Sequence, residues 1–203
     1  MGQPLASKPM AFKALSPALE AKSIDVAFTV MNDTPEREQV LDFVDFFNFG
    51  TKLLVKKGNP EKIESLETAC GKTVSPVQGS TRIKPADDMS AACVKAGKPV
   101  ITVMQYAQPS DARLQVQTGR VAAFLGNSPV MVYLAKTAGD GTIFDVVANH
   151  EYQPVPIGIA LPKTSTALRD QMKKSLDALI ADGTYLKILQ KFGLEGGNIG
   201  AAA

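Results

Sequence analysis

Histidine and cysteine are scarce in this chain, and chemistry that depends on them is narrowed accordingly. One histidine, His150, and two cysteines, Cys70 and Cys93, occur in 203 residues. No CxxC pair exists, so a structural zinc site of the usual spacing lacks ligands. A lone histidine with no serine or cysteine motif beside it reads as structural. No GxSxG, P-loop or HExxH pattern is present, so the spacings name no enzyme and imply no metal or cofactor. No run of about 18 apolar residues exists, which argues against a transmembrane helix. The net charge is only +2, and the basic residues are dispersed rather than gathered in a stripe, so no nucleic-acid partner is expected. The first residues, MGQPLASKPM, lack the apolar core of a signal peptide. Internal repeats and low-complexity linkers are absent.

What is present is ordinary globular composition, 45% hydrophobic and 21% charged, in a length that fits one or two domains. Short β-rich runs alternate with helical patterns. The strand candidates are 24–30, 51–57, 73–78, 100–106, 121–127, 144–149 and 156–162. Several are continuously apolar, as strands covered on both faces are. Helix candidates lie at 13–22, 35–47, 82–96, 109–118 and 128–137. The alternation predicts an α/β architecture with largely parallel sheets. Near the C-terminus, Ser165 is placed to cap a helix over 167–181, with Leu168, Met172, Leu176, Leu179 and Ile180 on one face. DGT breaks it, and TYLKILQKF forms a second helix. The tail GLEGGNIGAAA is expected to be mobile. GNPEK (58–62) and QPVPIG (153–158) are candidate crossings between two lobes.

Three strand ends carry polar clusters: TVMNDTPER (29–37), QGSTR (78–82) and GNSP (126–129). In open α/β sheets ligands bind outside the carboxyl ends of strands, where helix N-termini point. The first cluster opens a helix. Asp33 or Thr34 can cap it, Pro35 suits its first position, and Glu36 and Glu38 suit its dipole. Arg37 opposes that dipole. It either forms a compact anion site beside the capped N–H groups, its planar fork suiting a carboxylate, or it pairs with Glu36 or Asp33 at the surface. Gly79, Ser80 and Thr81 read equally as a ligand loop or as a turn and N-cap. Asn127 in GNSP reads likewise as a helix cap. The two cysteines are either a disulfide in an oxidising compartment or two small buried hydrophobes.

The segments FKALSPALEAKSIDVAF (12–28), NDTPEREQVLDFVDFF (32–47), GTKLLVKKGNP (50–60), LETACGKTVSPVQGST (66–81), LQVQTGRVAAF (114–124) and LRDQMKKSLDALIADGTYLKILQKFG (168–193) together resemble a known family. They are similar, in order and over nearly the whole chain, to the type II periplasmic solute-binding proteins (family 3) of polar amino-acid ABC transporters. The resemblance implies an α/β fold of two lobes joined by a two-strand hinge and closing on a ligand. Lobe 1 would comprise 1–50 and 156–203, and lobe 2 would comprise 51–155. It further implies a periplasmic or extracellular protein that delivers its ligand to ABC membrane subunits. By the same resemblance, Arg37 matches the arginine that grips the α-carboxylate of an amino acid. Thr29, Met31 and Asn32 match lobe-one positions that bind through backbone and hydroxyl groups. Gly79, Ser80 and Thr81 match the lobe-two loop, and Asn127 matches an aspartate that receives the α-ammonium. Cys70 and Cys93 resemble a disulfide pair found in part of the family.

Two departures from the family pattern carry expectations of their own. The family opens with a strand and helix bearing an aromatic residue over the ligand, whereas this chain begins at what resembles the second strand, near KPMAF. The first lobe is therefore expected to be incomplete by one βα unit of about 30 residues. That leaves unpaired edges and apolar surface, and with them a destabilised first lobe, a partner chain or second copy filling the gap, or a truncated gene product. The second departure is electrostatic. Asn127 is neutral where aspartate is usual, Ala122 stands for the aspartate of GRVDA, and Arg82 stands where a neutral glutamine is common. The cleft is thus more positive than the family norm, which predicts an acidic amino acid or a carboxylate without an amine. The competing readings are a cyclohexadienyl (arogenate/prephenate) dehydratase-like enzyme on the same fold, with Glu151 as the nearest general acid, and a non-transport sensor module.

Overall fold

A computed structural model describes residues 5–147 and 151–200. His150 and the end of the 144–149 strand candidate lie outside the described residues.

The strands are β1 (Ala27–Asn32), β2 (Leu41–Lys56), β3 (Thr73–Pro76), β4 (Thr102–Val103), β5 (Ala123–Asn127), β6 (Phe144–Val146) and β7 (Tyr152–Pro162). The helices are α1 (Leu15–Glu20), α2 (Pro35–Glu38), α3 (Ile83–Lys95), α4 (Pro109–Thr118), α5 (Ser128–Thr137), α6 (Thr166–Ala181) and α7 (Thr184–Phe192). The strands form one sheet in the order β1-β7-β2-β5-β3-β4, with β6 against the far end of β2. Among the described residues only β3 pairs in parallel, with β4 and β5; the pairs β1–β7, β2–β7, β2–β5 and β2–β6 are antiparallel. The expectation of largely parallel pairing is corrected here. β2 and β7 are single long strands shared by both halves of the sheet, and each runs against its neighbours.

The second correction concerns 35–47, which was expected to be one helix. The helix ends at Glu38 and the chain enters β2 at Leu41. Leu41, Val44 and Phe47 are buried, a three-residue spacing that mimics a helical stripe. In the strand that spacing has another cause. Leu41 and Phe43 pack in one cluster while Val44 and Phe46 pack in another, so both faces of the strand are apolar. A register shift between Asp45 and Phe47 then breaks the alternation and brings Phe46 and Phe47 into the same cluster. A bulge re-phases a strand in this way, and the aromatic and β-branched run LDFVDFFNF favours strand over helix.

The buried clusters divide between the two halves of the sheet. Leu53, Val74, Leu125, Phe124 and Met131, with neighbours, pack α3, α4 and α5 on the β3–β5 half. Leu19, Met31, Leu41, Phe47, Ile157 and Leu161 pack α1, α6 and α7 on the β1–β7 half. Full burial of such side chains contributes roughly 1.5–3 kcal/mol each. Strand β4 is shorter than the 100–106 candidate, continued only by a bridge between Val77 and Tyr106. Ser165 occupies the N-cap of α6 but makes no side-chain cap bond. The tail is not free through residue 200. Gly197 lies against Phe47 and the Asn48 carbonyl, where a Cβ would clash, and the Ile199 N–H donates to the Tyr185 hydroxyl at 3.3 Å. An apolar groove of about 550 Å³ runs between α6, α7 and the sheet face carrying Phe28, Val30, Val44 and Phe46. Phe28, on the edge strand β1, is 69% exposed.

Candidate functional site

Strand register places the site. Asn32 at the end of β1 pairs with Ile157, which pairs in turn with Phe47 of β2. Asn127 at the end of β5 pairs with Thr51 of β2. The carboxyl ends of β1 and β5 therefore converge on the middle of β2 from opposite halves of the sheet. Because β3 runs parallel to β5, its outgoing loop 78–82 opens beside Asn127. All three polar clusters meet at one place.

Each cluster is shaped locally. Thr34 caps α2 by accepting the Arg37 N–H at 3.4 Å, with Pro35 in the first turn. The short helix turns the Arg37 side chain back over the strand end, where Nη1 donates to the Asn32 carbonyl at 2.7 Å and Nη2 to the Gly79 carbonyl at 3.1 Å. The guanidinium thus spans the ends of β1 and β3. Phe12, just ahead of α1, lies 5.6 Å from its carbon centre, a cation–π contact. Gly79 turns at φ +76°, and a Cβ there would sit 3.2 Å from the Lys13 backbone, so this position needs glycine. The Thr81 hydroxyl donates to Asn32 Oδ1 at 3.0 Å, a second link between the two loops.

Arg82 precedes α3 and is only 8% exposed. Its Nη2 donates to Asn127 Oδ1, so Asn127 occupies the N-cap of α5 while its side chain is engaged elsewhere. The Nε of Arg82 and the hydroxyl of Ser80, also 8% exposed, are buried without a hydrogen-bond partner. Both line a cavity of about 220 Å³ with Phe12, Thr29, Phe124 and Asn127. Among the described residues neither Arg37 nor Arg82 forms an ion pair. The surface pairing of Arg37 with Glu36 or Asp33 is therefore replaced by the two carbonyl contacts.

Electrostatics follow burial. Desolvation lowers the Arg37 pKa, opposed by Asp33 and Glu36. Burial, helped by the charge of Arg37, pushes Arg82 down to about 10, which leaves it cationic at neutral pH. Burial first, then the charges of Asp45 and Glu38, push Asp33 up to about 7, against the pull of Arg37. Asp33 is thus a weak counter-charge.

Of the residues expected from sequence, Thr29, Ser80, Arg82 and Asn127 line the cavity. Asn32, Arg37, Gly79 and Thr81 do not line it; they tie together the loops that carry Thr29, Ser80 and Arg82, through the contacts above. Met31 differs: its side chain is 1% exposed and packs with Leu19 and Leu41 in the core, leaving only its backbone for a ligand. Sequence reading missed Phe12 and Phe124 as lining residues, because both sit in segments that read as ordinary helix and strand core. Glu151 is not among the lining side chains. Its Oε1 accepts from the Gly50 N–H at 2.8 Å and from the Ser128 hydroxyl, tying β2 to the start of α5. Cys70 and Cys93 form a disulfide with Cα atoms 5.7 Å apart, closing a loop that contains β3 and residues 78–82. Among the described residues no group of three metal-ligating side chains occurs, and no helix is long and apolar enough to cross a membrane.

Comparison with known proteins agrees with this architecture. The arginine-binding protein ArgT of Corynebacterium glutamicum is 30% identical over 200 residues, covering 97% of this chain and 64% of that protein. This chain therefore spans less than two thirds of that curated relative's length. A solved ancestral arginine-binding protein bound to arginine superposes with a TM-score of 0.78 at 33% identity, covering 91% of this chain and 78% of that one. An ancestral amino-acid-binding protein, AncCDT-1, a precursor of cyclohexadienyl dehydratase, superposes with a TM-score of 0.73 at 29% identity, covering 91% and 76%. The model of the bacterial extracellular solute-binding proteins, family 3, matches residues 1–195, and the chain belongs to that family.

Proposed function

We propose that this chain captures a polar amino acid or small carboxylate between two lobes, 1–50 with 156–203 and 51–155, and presents it outside the cytoplasm to the membrane subunits of an ABC transporter. The observation that carries the reading is Arg37, whose guanidinium reaches from the Asn32 carbonyl on one side to the Gly79 carbonyl on the other. A group that touches both walls is stabilised by closure, and a ligand carboxylate on its remaining N–H groups couples binding to closure. The paired strands β2 and β7 supply the hinge. Arg37 thus serves as carboxylate anchor, while Thr29, Ser80, Thr81, Arg82 and Asn127 surround the rest of the ligand. The relatives' names, arginine-binding and amino-acid-binding, support the class of solute.

The test is thermal unfolding with a panel of amino acids and small carboxylates. A ligand at about 100 times its dissociation constant adds about 2.7 kcal/mol, or roughly 5–11 °C at about 2–4 °C per kcal/mol. A cooperative transition that no member of the panel moves would refute the reading. An elimination reaction on a prephenate-like anion is the second reading, favoured by the likeness to the dehydratase precursor. Against it stands Glu151, whose carboxylate is committed to Gly50 and Ser128; turnover of prephenate would establish it. The exposed edge of β1 and the apolar groove beside it support self-association through this face, read by sedimentation velocity.

A further inference from the structure

We propose, resting on the capture reading above, that the cavity selects small ligands of net negative charge, dicarboxylates and acidic amino acids, and that Arg82 sets this choice. Among the described residues the lining side chains include one cation, Arg82, and no carboxylate. Arg37 adds a second guanidinium beside it, close enough that its charge bears on Arg82. A neutral amino acid brings one carboxylate and one ammonium. Its carboxylate can satisfy one arginine, but its ammonium must then lie in a cavity whose fixed charge is positive. The amide acceptor in the lining, Asn127 Oδ1, already receives a bond from the Arg82 guanidinium, so an ammonium bound there would share it with a cation. A cationic amino acid fares worse, because it adds a third positive charge.

A second carboxylate resolves each of these conflicts. It meets Arg82 and Ser80, which line the cavity and whose Nε and hydroxyl lack partners just beneath its wall. A buried donor left unmade is costly, and a charge-assisted bond to it is correspondingly favourable. It also neutralises the second guanidinium in a low-dielectric site, where charge matters most. At about 220 Å³ the cavity is smaller than the roughly 300–1,000 Å³ of drug-sized sites, which fits a small diacid. The two relatives named above for arginine are only 30% and 33% identical to this chain, and a shared fold does not transfer specificity.

The experiment is calorimetric titration of the full chain with glutarate, L-glutamate, L-glutamine and L-arginine. Glutarate and glutamate are expected to bind at least about tenfold more tightly than glutamine, with arginine weakest, as a charge-assisted bond to a buried donor requires. Arg82→Gln should lower glutarate and glutamate affinity at least about tenfold more than it lowers glutamine affinity. Circular dichroism melts check that this variant folds, and Asn127→Asp supplies an independent arm. A carboxylate placed against Arg82 should shift preference from glutarate towards glutamine. Glutamine or arginine binding as tightly as glutamate and glutarate to the parent chain overturns the selectivity while leaving the capture reading intact. A cooperatively folded chain that binds none of the four overturns both.

Discussion

Removal of the disulfide tests how the site's second wall is held. Cys70 and Cys93 are 23 residues apart, and the loop they close contains β3, the Gly79–Arg82 segment and most of α3. In the chain-entropy model a crosslink of that span removes about 11 cal/mol/K from the unfolded ensemble, or about 3 kcal/mol at 25 °C. For a chain of this size that corresponds to roughly 6–12 °C in melting temperature. Cys93 is buried and Cys70 partly so against the same cluster, so replacing both with alanine keeps small apolar atoms in place. The bridge joins the bases of β3 and α3 rather than the loop tip. Ligand affinity of the folded variant should therefore stay within about twofold of the parent, as for sites that do not share partners. The assay is a melt of Cys70→Ala/Cys93→Ala beside the parent with and without a phosphine reductant, followed by titration at a temperature where both are folded. A drop below about 2 °C would refute the entropic account, and a loss of affinity without loss of stability would mean that the bridge shapes the loop tip directly.

Other perturbations separate the remaining contributions. Arg37→Lys keeps the charge but loses the planar fork that reaches both Asn32 and Gly79, so ligand affinity by calorimetry should fall roughly 10- to 100-fold. Gly79→Ala forces a side chain at φ +76° against Lys13, costing about 1–2 kcal/mol and roughly 2–8 °C in a melt. Asp33 holds its proton in the folded chain up to about pH 7, whereas unfolded it releases it near the ordinary value of 3.8. Between those two pH values the native state binds more protons, so stability from this group falls as pH rises. Asp33→Asn should therefore raise the melting temperature at pH 8 and have little effect near pH 4, and a gain that grows towards acid would contradict the assignment. Phe28→Lys places a charge on the exposed apolar edge, where sedimentation velocity should show less self-association with no fall in melting temperature.

The parts of the fold visible in sequence were those with one cause. Alternating strands and helices, the cluster at each strand end, and the stripe of Leu168, Met172 and Leu176 each follow from a single period or a single cap, and the structure has them. The parts that were obscured had two causes acting together. In 41–49 both faces of a strand are apolar and a bulge shifts the phase, so a spacing of three emerges that no straight strand would show. In the tail, glycines that read as freedom instead permit close approach, because Gly197 fits under Phe47 only without a Cβ. Long shared strands also escape local reading. Nothing within a ten-residue window reveals that β2 pairs with β7 along its first half and with β5 and β6 along its second.

The site shows the same division. Arg37 was conspicuous because a cation in the first turn of a helix opposes the dipole, and such a local conflict needs a compensating partner. Here the partners are two carbonyls from distant segments, which sequence spacing could not display. Arg82 was conspicuous only as a charge beside a turn. Its burial, its bond to Asn127 and its unpartnered Nε arise from the convergence of β3 and β5, a long-range fact. Two guanidiniums held near each other with no ion pair to either cost stability in the empty chain, since burial and mutual repulsion both disfavour the charged form of Arg82. Removing one should therefore stabilise the unliganded protein even as it weakens anion binding. Arg82→Met, which keeps volume and removes charge, is the sharp case. It leaves Asn127 Oδ1 without its donor, a penalty of about 1–3 kcal/mol, so a rise in melting temperature would require relief of repulsion and desolvation larger than that penalty. A fall that vanishes in Arg82→Met/Asn127→Leu, where both polar partners are gone, would assign the loss to the orphaned amide and leave the charge argument standing. A fall that persists in the double variant would show that Arg82 is there chiefly to hold the two strand ends together.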